Sequence, residues 1–559
     1  KTAMGSRMLK QMIENPLIDK EEIENRYDMV SKLLEEFLLK DELKELLNEV
    51  YDLERLAGRV SFGNANARDL LQLKSSLKVL PRIKEIVSIL GFNLVIDDLT
   101  DLYEFLDKSI YENPPITLKE GYLIKSGYNK ELDDLKLARS GGKDFIAKLE
   151  EKEKERTGIK NLRVGYNRVF GYYIEVSKGN SRQVKEEFGW ERKQTLANNE
   201  RFITPELKEK EQLILGAEEK IINLEYELFT NIRCKVKEVI PTIQLTAKMV
   251  AKLDVMIAFA TVTEENNYTR PIITLDKEVK IIEGRHPVVE KVLNGEFVSN
   301  DIIFTKDKYV ELITGPNMAG KSTYMRQMAM IVIMAQIGCF VPAKEAYLPI
   351  FDKIFTRIGA SDDLVSGEST FMVEMKEANR AILGATEHSL ILFDELGRGT
   401  ATYDSISLAQ AIIEYIHDNI KAITFFSTHY HELTSLEEHK AHIKNVHVSA
   451  HEENGVITFL HKVKDGSVDK SYGIHVAKLA QLPDSLIKRA DEILKTYENK
   501  KPKKEVVSQI SMNLEESVAP INKYDIIKKK LDDINPLELS PMEALNVLYE
   551  LKSEMDKKD

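Results

Sequence analysis

Residues 315 to 322 read Gly315, Pro316, Asn317, Met318, Ala319, Gly320, Lys321 and Ser322, with the G-x-x-x-x-G-K-S spacing of a phosphate-binding loop. The glycines let the backbone curl so that successive N–H groups point at phosphate oxygens. A helix opening at Lys321 would add the partial positive charge of its amino end. Lys321 then reaches the β and γ phosphates of a nucleotide, Ser322 supplies a hydroxyl ligand to Mg²⁺, and Thr323 closes the loop. Two later groups suit the same chemistry. The apolar run Ser389 to Phe393 ends in Asp394 and Glu395. Asp394 can hold Mg²⁺, directly or through water, and Glu395 can orient and deprotonate an attacking water. A second run, Ala422 to Ser427, ends in Thr428 and His429. Parallel sheets bind ligands beyond the carboxyl ends of their strands, where His429 would sense a γ-phosphate. Alone, the acidic pair is a solvated turn and His429 a surface histidine. Downstream of a phosphate loop they read together as an ATPase.

These side chains need a sheet to position them. Tyr309 to Thr314 is an apolar strand candidate leading into the loop. A helix from Lys321 to about Ile337 leads out, with Met325, Met328, Val332 and Ala335 on one face. The wholly apolar run before Asp394 fits a strand buried on both faces of a parallel sheet.

With these motifs in place the chain resembles the MutS family of DNA mismatch repair ATPases. The resemblance is carried by GPNMAGKSTYMRQ (315–327), the serine motif SGESTFMVEM (366–375), DELGRGTATYD (394–404) and STHYHEL (427–433). GRHPVVE (284–290) and KSYGIHVAKLAQLP (470–483) flank them, and TAMGSRMLK (2–10), DLERLAGRVSFG (52–63) and VGYNRVFGYYIEVSKGN (164–180) extend the match upstream. Ala319 stands where the family often has glycine, and Met12 where tryptophan is frequent. The resemblance implies ATP and Mg²⁺ as cofactors and a composite site in a homodimer. Ser369 of one subunit would meet the γ-phosphate held by the other, and Phe297 and His461 would stack on adenine. It also implies duplex DNA as partner, dimers joined into tetramers, and contacts with a MutL-type repair protein and a replication sliding clamp. The Phe-x-Glu tripeptide with which the family reads mismatches occurs only as Phe393-Asp394-Glu395, inside the ATPase strand. The expectation is therefore a fragment lacking the mismatch reader and most of the connector domain.

The implied architecture is multidomain, α+β and α/β. It comprises a helical core or lever domain (1–144), an inserted β clamp (145–205) and returning lever helices (206–268). An ABC-type P-loop ATPase (269–465), a helical dimerisation segment (466–498), a flexible linker (499–535) and a C-terminal oligomerisation helix (536–559) follow. The 559 residues suit about three to four domains. Hydrophobic residues at 43% and charged residues at 30% are ordinary for a soluble intracellular protein. Cys234 and Cys339 have no metal-type spacing and read as free thiols. No apolar run is long enough to cross a bilayer and no signal peptide opens the chain, so a cytoplasmic, nucleoid-associated protein without a membrane partner is expected.

A net charge of −12 argues against a protein coated in nucleic acid, but its distribution is uneven. Residues 157 to 204 carry nine Lys and Arg against five Glu, a local +4. Within that island Val164 to Ser177 is rich in Val, Tyr, Phe and Ile, divided by Gly171, with a turn at Gly179-Asn180-Ser181. Lys178, Asn180, Arg182, Lys185, Arg192 and Lys193 are the candidate phosphate contacts; the other reading is a solvated hairpin face. Helical patterns run from Lys20 to Arg59, Asn64 to Leu90 and Glu206 to Ile240, the last near-heptad. At the far end, Gln509 to Met512 resembles a sliding-clamp-binding peptide. Residues 536 to 553 form a short helix candidate opened by Ser540, Pro541 and Glu543. The rival within the superfamily is a MutS-like recombination protein that clamps branched DNA. A transporter-type ATP-binding-cassette subunit lacks support, because no LSGGQ-type signature is present.

Overall fold

The computed structural model describes residues 1–498 apart from 168–170, 294, 317–318, 360–369, 398–399, 454–455, 468–473, 475–476 and 478–480. Asn317, Met318, Ser369, the linker, the Gln509–Met512 peptide and the terminal helix candidate therefore lie outside the described residues. The chain divides into two compact units, Lys1–Ala477 and Lys478–Asp559. Of the second, one helix from Asp484 to Glu498 is described.

The first unit opens with helices α1 (Ala3–Glu14), α2 (Lys20–Glu35), α3 (Phe37–Asn48), α4 (Leu53–Ser61), α5 (Ala67–Ile89) and α6 (Thr100–Ser109). Local caps set their starts: the side chains of Thr2, Asp19 and Asp52 each accept from a first-turn N–H, and Asn66 with Asp69 forms a capping box. The helical patterns from Lys20 to Arg59 are thus three helices. At Glu36 the backbone leaves the helical region (φ −101°, ψ 57°). A straight continuation from Leu33 would carry Leu43 roughly 80° and Leu47 roughly 40° round the helix. The break returns both to the core, where they are buried.

Helix α7 (Lys130–Thr157) leads to a small antiparallel sheet, and α8 (Pro205–Glu238) and α9 (Ile240–Asn266) return. The sheet comprises β1 (Arg163–Asn167), β2 (Gly171–Ser177), β3 (Glu191–Thr195) and β4 (Asn199–Ile203) in the order β1-β2-β4-β3. It has its own core of Leu149, Ile159, Leu162, Ile174, Val176, Phe202 and Leu207. In α9 the buried Asp254 accepts from the Thr2 N–H and hydroxyl, both at 2.7 Å. A Cβ on Gly5 would stand 2.2 Å from the Asp254 Oδ2, so only glycine lets α1 approach this closely.

Two further sheets follow. One is β5 (Ile272–Ile273), β9 (Glu345–Leu348), β6 (Val279–Gly284) and β7 (Asn300–Phe304), in the order β5-β9-β6-β7. The other has six strands in the order β10 (Ile354–Arg357), β11 (Leu390–Asp394), β12 (Ile423–Ser427), β8 (Val310–Thr314), β13 (Ile443–Glu453) and β14 (Val456–Asp465). All its pairs are parallel except β13 with β14. Helices α10 (Val289–Val292), α11 (Lys321–Ile337), α12 (Thr370–Gly384), α13 (Thr402–Tyr415) and α14 (Leu436–His439) connect the strands. Met325, Met328, Val332 and Ala335 are all buried, as the spacing predicts. Among the described residues no helix is long and apolar enough to cross a membrane.

The carboxyl end of α11 is fixed to the helical region. Tyr27 donates its hydroxyl to the Ala335 carbonyl and Arg26 donates to the Ile337 carbonyl, both at 2.7 Å. Gln336 Nε2 donates to Leu17 O at 2.8 Å, and Leu17 N donates to Gln336 O at 3.0 Å. These contacts satisfy carbonyls that a helix end leaves open. They also join the helix behind the phosphate loop directly to α2.

Candidate nucleotide site

Strand register brings the candidate catalytic groups to one line. Asp394 pairs with Ser427, and Ser427 with Ile313, so β11, β12 and β8 end level with one another. Just beyond that line lie Glu395, Thr428 with His429, and Gly315. The loop opens with Gly315 at φ 136° and closes with Gly320 at φ 106°, both in backbone regions that L side chains rarely adopt. No side chain caps the amino end of α11, leaving its first N–H groups facing the loop.

Lys321 is 4% exposed and donates to the carbonyls of Gly315 at 2.7 Å and Pro316 at 3.4 Å. Its Nζ also lies 3.3 Å from Glu395 Oε1, and the same carboxylate oxygen meets His429 Nε2. Lysine, glutamate and histidine therefore form one cluster around the loop. Ser322 donates its hydroxyl to Asp394 Oδ2 at 2.5 Å. The other oxygen, Asp394 Oδ1, is buried with no hydrogen-bond partner. A buried acceptor without a donor suits a cation, and a hydroxyl beside a carboxylate is an oxygen donor set of the kind Mg²⁺ takes. The residues present fit the ion.

On the opposite side of the loop, His461 Nδ1 lies 2.8 Å from the Ala319 carbonyl, which fixes that nitrogen as a donor. His461 is held at φ 52°. Asn300, buried on β7, donates to His461 O at 2.9 Å and accepts from Val463 N at 2.8 Å. Lys462 Nζ donates to Ser299 O at 2.7 Å. The half-buried Phe297 precedes this laced segment by two residues, so Phe297 and His461 lie on chain segments that meet beside the loop. Asn300 is a residue that sequence reasoning missed. Its role is a contact between β7 and β14, for which no local pattern gives a signal.

Comparison with known proteins decides the family. A family model of MutS domain III matches residues 1–260, one of MutS domain V matches 311–498, and one of the DNA mismatch repair protein MutS C-terminal region matches 522–554. The DNA mismatch repair protein MutS of Bacillus subtilis (strain 168) is 55% identical over 578 residues, covering 99% of this chain and 67% of that protein. The protein of the same description from Geobacillus sp. (strain WCH70) is 57% identical over 571 residues, covering 99% and 66%. The chain belongs to the MutS family. It spans about two thirds of the length of these relatives. MutS domain V thus contains the phosphate loop, Asp394, Glu395, His429 and His461 together.

MutS domain III contains the cationic island, and the small sheet sorts its candidates. Lys185 is 3.0 Å from Glu187 and Lys193 is 2.6 Å from Glu191. Arg192 pairs with the buried Glu200 at 3.0 Å and lies 5.7 Å from the Phe202 ring centroid. Lys178 and Arg182 are exposed, and neither has an ion-pair partner among the described residues. Asn180 is half-buried in the turn, where its N–H donates to Ser177 O. Of the charged candidates, Lys178 and Arg182 therefore present their charge most fully to solvent. Trp190, an aromatic near the same tip, is packed against Phe188 and Phe202 and donates to Glu153 Oε2 at 3.2 Å.

Proposed function

We propose that the chain is an ATP-hydrolysing, ATP-gated DNA clamp of the mismatch repair type, acting as a homodimer. The observation that carries this reading is the convergence of Lys321, Ser322, Asp394, Glu395 and His429 at the carboxyl ends of β8, β11 and β12. Lys321 exchanges its loop carbonyls for β and γ phosphate oxygens. Residues Gly315 to Thr323, including Asn317, Met318 and Ala319, wrap the phosphates, while Phe297 and His461 flank adenine. Ser322 and Asp394 would hold Mg²⁺, which when bound offsets negative charge on the phosphates. Glu395 orients a water for in-line attack and takes its proton, and His429, touching the same carboxylate, orients it and senses the γ-phosphate. Ser369 acts on the partner's nucleotide, so paired sites close with both γ-phosphates present. Movement passes from α11 to α2 through the Tyr27 and Arg26 contacts and on to the clamp.

The domain limits given above, the ABC-type assignment of the ATPase and the docking of a MutL-type partner and a sliding clamp belong to this same reading. Repair is favoured over recombination because relatives described as DNA mismatch repair proteins cover nearly the whole chain at 55–57% identity. For the clamp, DNA binding is expected to depend on salt. Removing two phosphate contacts with Lys178→Ala and Arg182→Ala should lower the slope of log affinity against log salt by about 2. Fluorescence anisotropy with a duplex at several salt concentrations measures this. An unchanged slope assigns the basic tip to solvation alone.

A further inference from the structure

The turn that carries Glu395 is under unusual backbone constraint. Glu395 sits at φ 56°, in the left-handed region that a residue with a side chain rarely adopts. Such a conformation persists only where its surroundings hold it. On the near side, Glu395 N donates to Ser427 O at 2.9 Å. Two residues on, Gly397 has φ 99°, and a Cβ there would meet the Ser405 backbone at 3.3 Å. Both polar groups of Gly397 are held: its N–H donates to Glu374 Oε1, and its carbonyl accepts from the Ser405 hydroxyl. Glu374 is 6% exposed and Ser405 is fully buried. A carboxylate is rarely buried without cause, because desolvating it is costly unless hydrogen bonds compensate. Among the described residues Glu374 accepts from one backbone N–H, on the turn that carries Glu395.

We infer that Glu374 is a positioning residue for hydrolysis, acting through Gly397 to set the direction of the Glu395 carboxylate. The inference rests on the reading of Glu395 as the general base. Glu374 belongs to the serine motif (366–375) and lies on α12, which begins at Thr370, directly after Ser369 in sequence. One carboxylate therefore ties that helix to the catalytic turn. Among the described residues it bonds to neither the phosphate loop nor the Ser322–Asp394 pair, so nucleotide binding should not depend on it.

The test is a double-mutant cycle on the full chain, with ATP affinity and single-turnover hydrolysis measured for each variant. Glu374→Ala should slow hydrolysis about 10- to 100-fold, as a misplaced catalytic group does, and leave ATP affinity within about twofold. Glu374→Gln keeps an oxygen that accepts from Gly397 and should restore most of the rate. In a Glu395→Ala background, Glu374→Ala should have no further effect, because its role runs through the missing carboxylate. Additive losses in that background, a parallel fall in ATP affinity, or a Gln variant as slow as the Ala variant would each overturn the inference. Normal hydrolysis by Glu395→Ala alone would instead reject the base assignment, and that single variant is read separately from the cycle.

Discussion

Glu395→Ala is expected to bind ATP normally and to hydrolyse it about 10²–10⁴-fold more slowly, the range that loss of a general base produces. The separation follows from the geometry. Glu395 lies 3.3 Å from Lys321 and in contact with His429, but the hydroxyl and carboxylate proposed for the metal belong to Ser322 and Asp394. Removing Glu395 takes away the group that directs water and leaves the phosphate contacts. Binding even gains slightly in one respect, because Lys321 loses a competing carboxylate. Equilibrium binding of a fluorescent ATP analogue, with phosphate release measured in parallel, distinguishes the two effects. Hydrolysis at the normal rate would mean that another residue activates the water.

The second large effect is the reverse. Lys321→Ala should weaken ATP binding by about 10²-fold, corresponding to roughly 3 kcal/mol for a charge-assisted contact in a buried setting. Lys321 is 4% exposed, so a phosphate reaching it meets an ammonium largely stripped of water. The substitution also leaves the Glu395 carboxylate without that cation beside the γ-phosphate, which adds repulsion to the loss. The same binding assay reads this directly, and affinity within threefold of the parent chain would contradict the role of Lys321.

The placement of the candidate nucleotide-site residues was largely legible in the sequence because the elements that carry them are local patterns. A buried parallel strand is a continuous apolar run, so β8, β11 and β12 could be placed to within one residue, with Asp394, Glu395 and His429 beyond their ends. The phosphate loop announces α11 by its own spacing. Features set by distant contacts were not legible. Asn300 bonds across 161 residues to His461, and Glu374 reaches Gly397 across an intervening strand. Glu374 stands in the serine motif, but nothing in a linear pattern points it to Gly397. In the small antiparallel sheet, β1 and β2 were found from their aromatic and branched residues, but β3 (Glu-Arg-Lys-Gln-Thr) is mostly exposed and reads as a charged loop. It is a strand because β4 pairs with it and Trp190 anchors its start. The helical patterns from Lys20 to Arg59 did not show where one helix ends and the next begins, for a related reason. Periodicity within each piece is regular, and only the position of the shared core requires the phase change at Glu36.

In the proposed composite site, Ser369 of one subunit would complete hydrolysis of the nucleotide held by the other subunit's loop. Mixing a Ser369→Ala chain with a Lys321→Ala chain tests it most directly. In the heterodimer one site combines an intact Lys321 with an intact Ser369 from the partner chain, while the other carries both defects. Phosphate release, negligible for each variant alone, should return on mixing and scale with the fraction of heterodimer. A heterodimer demonstrated by differential tagging that shows no more hydrolysis than its parents would contradict it.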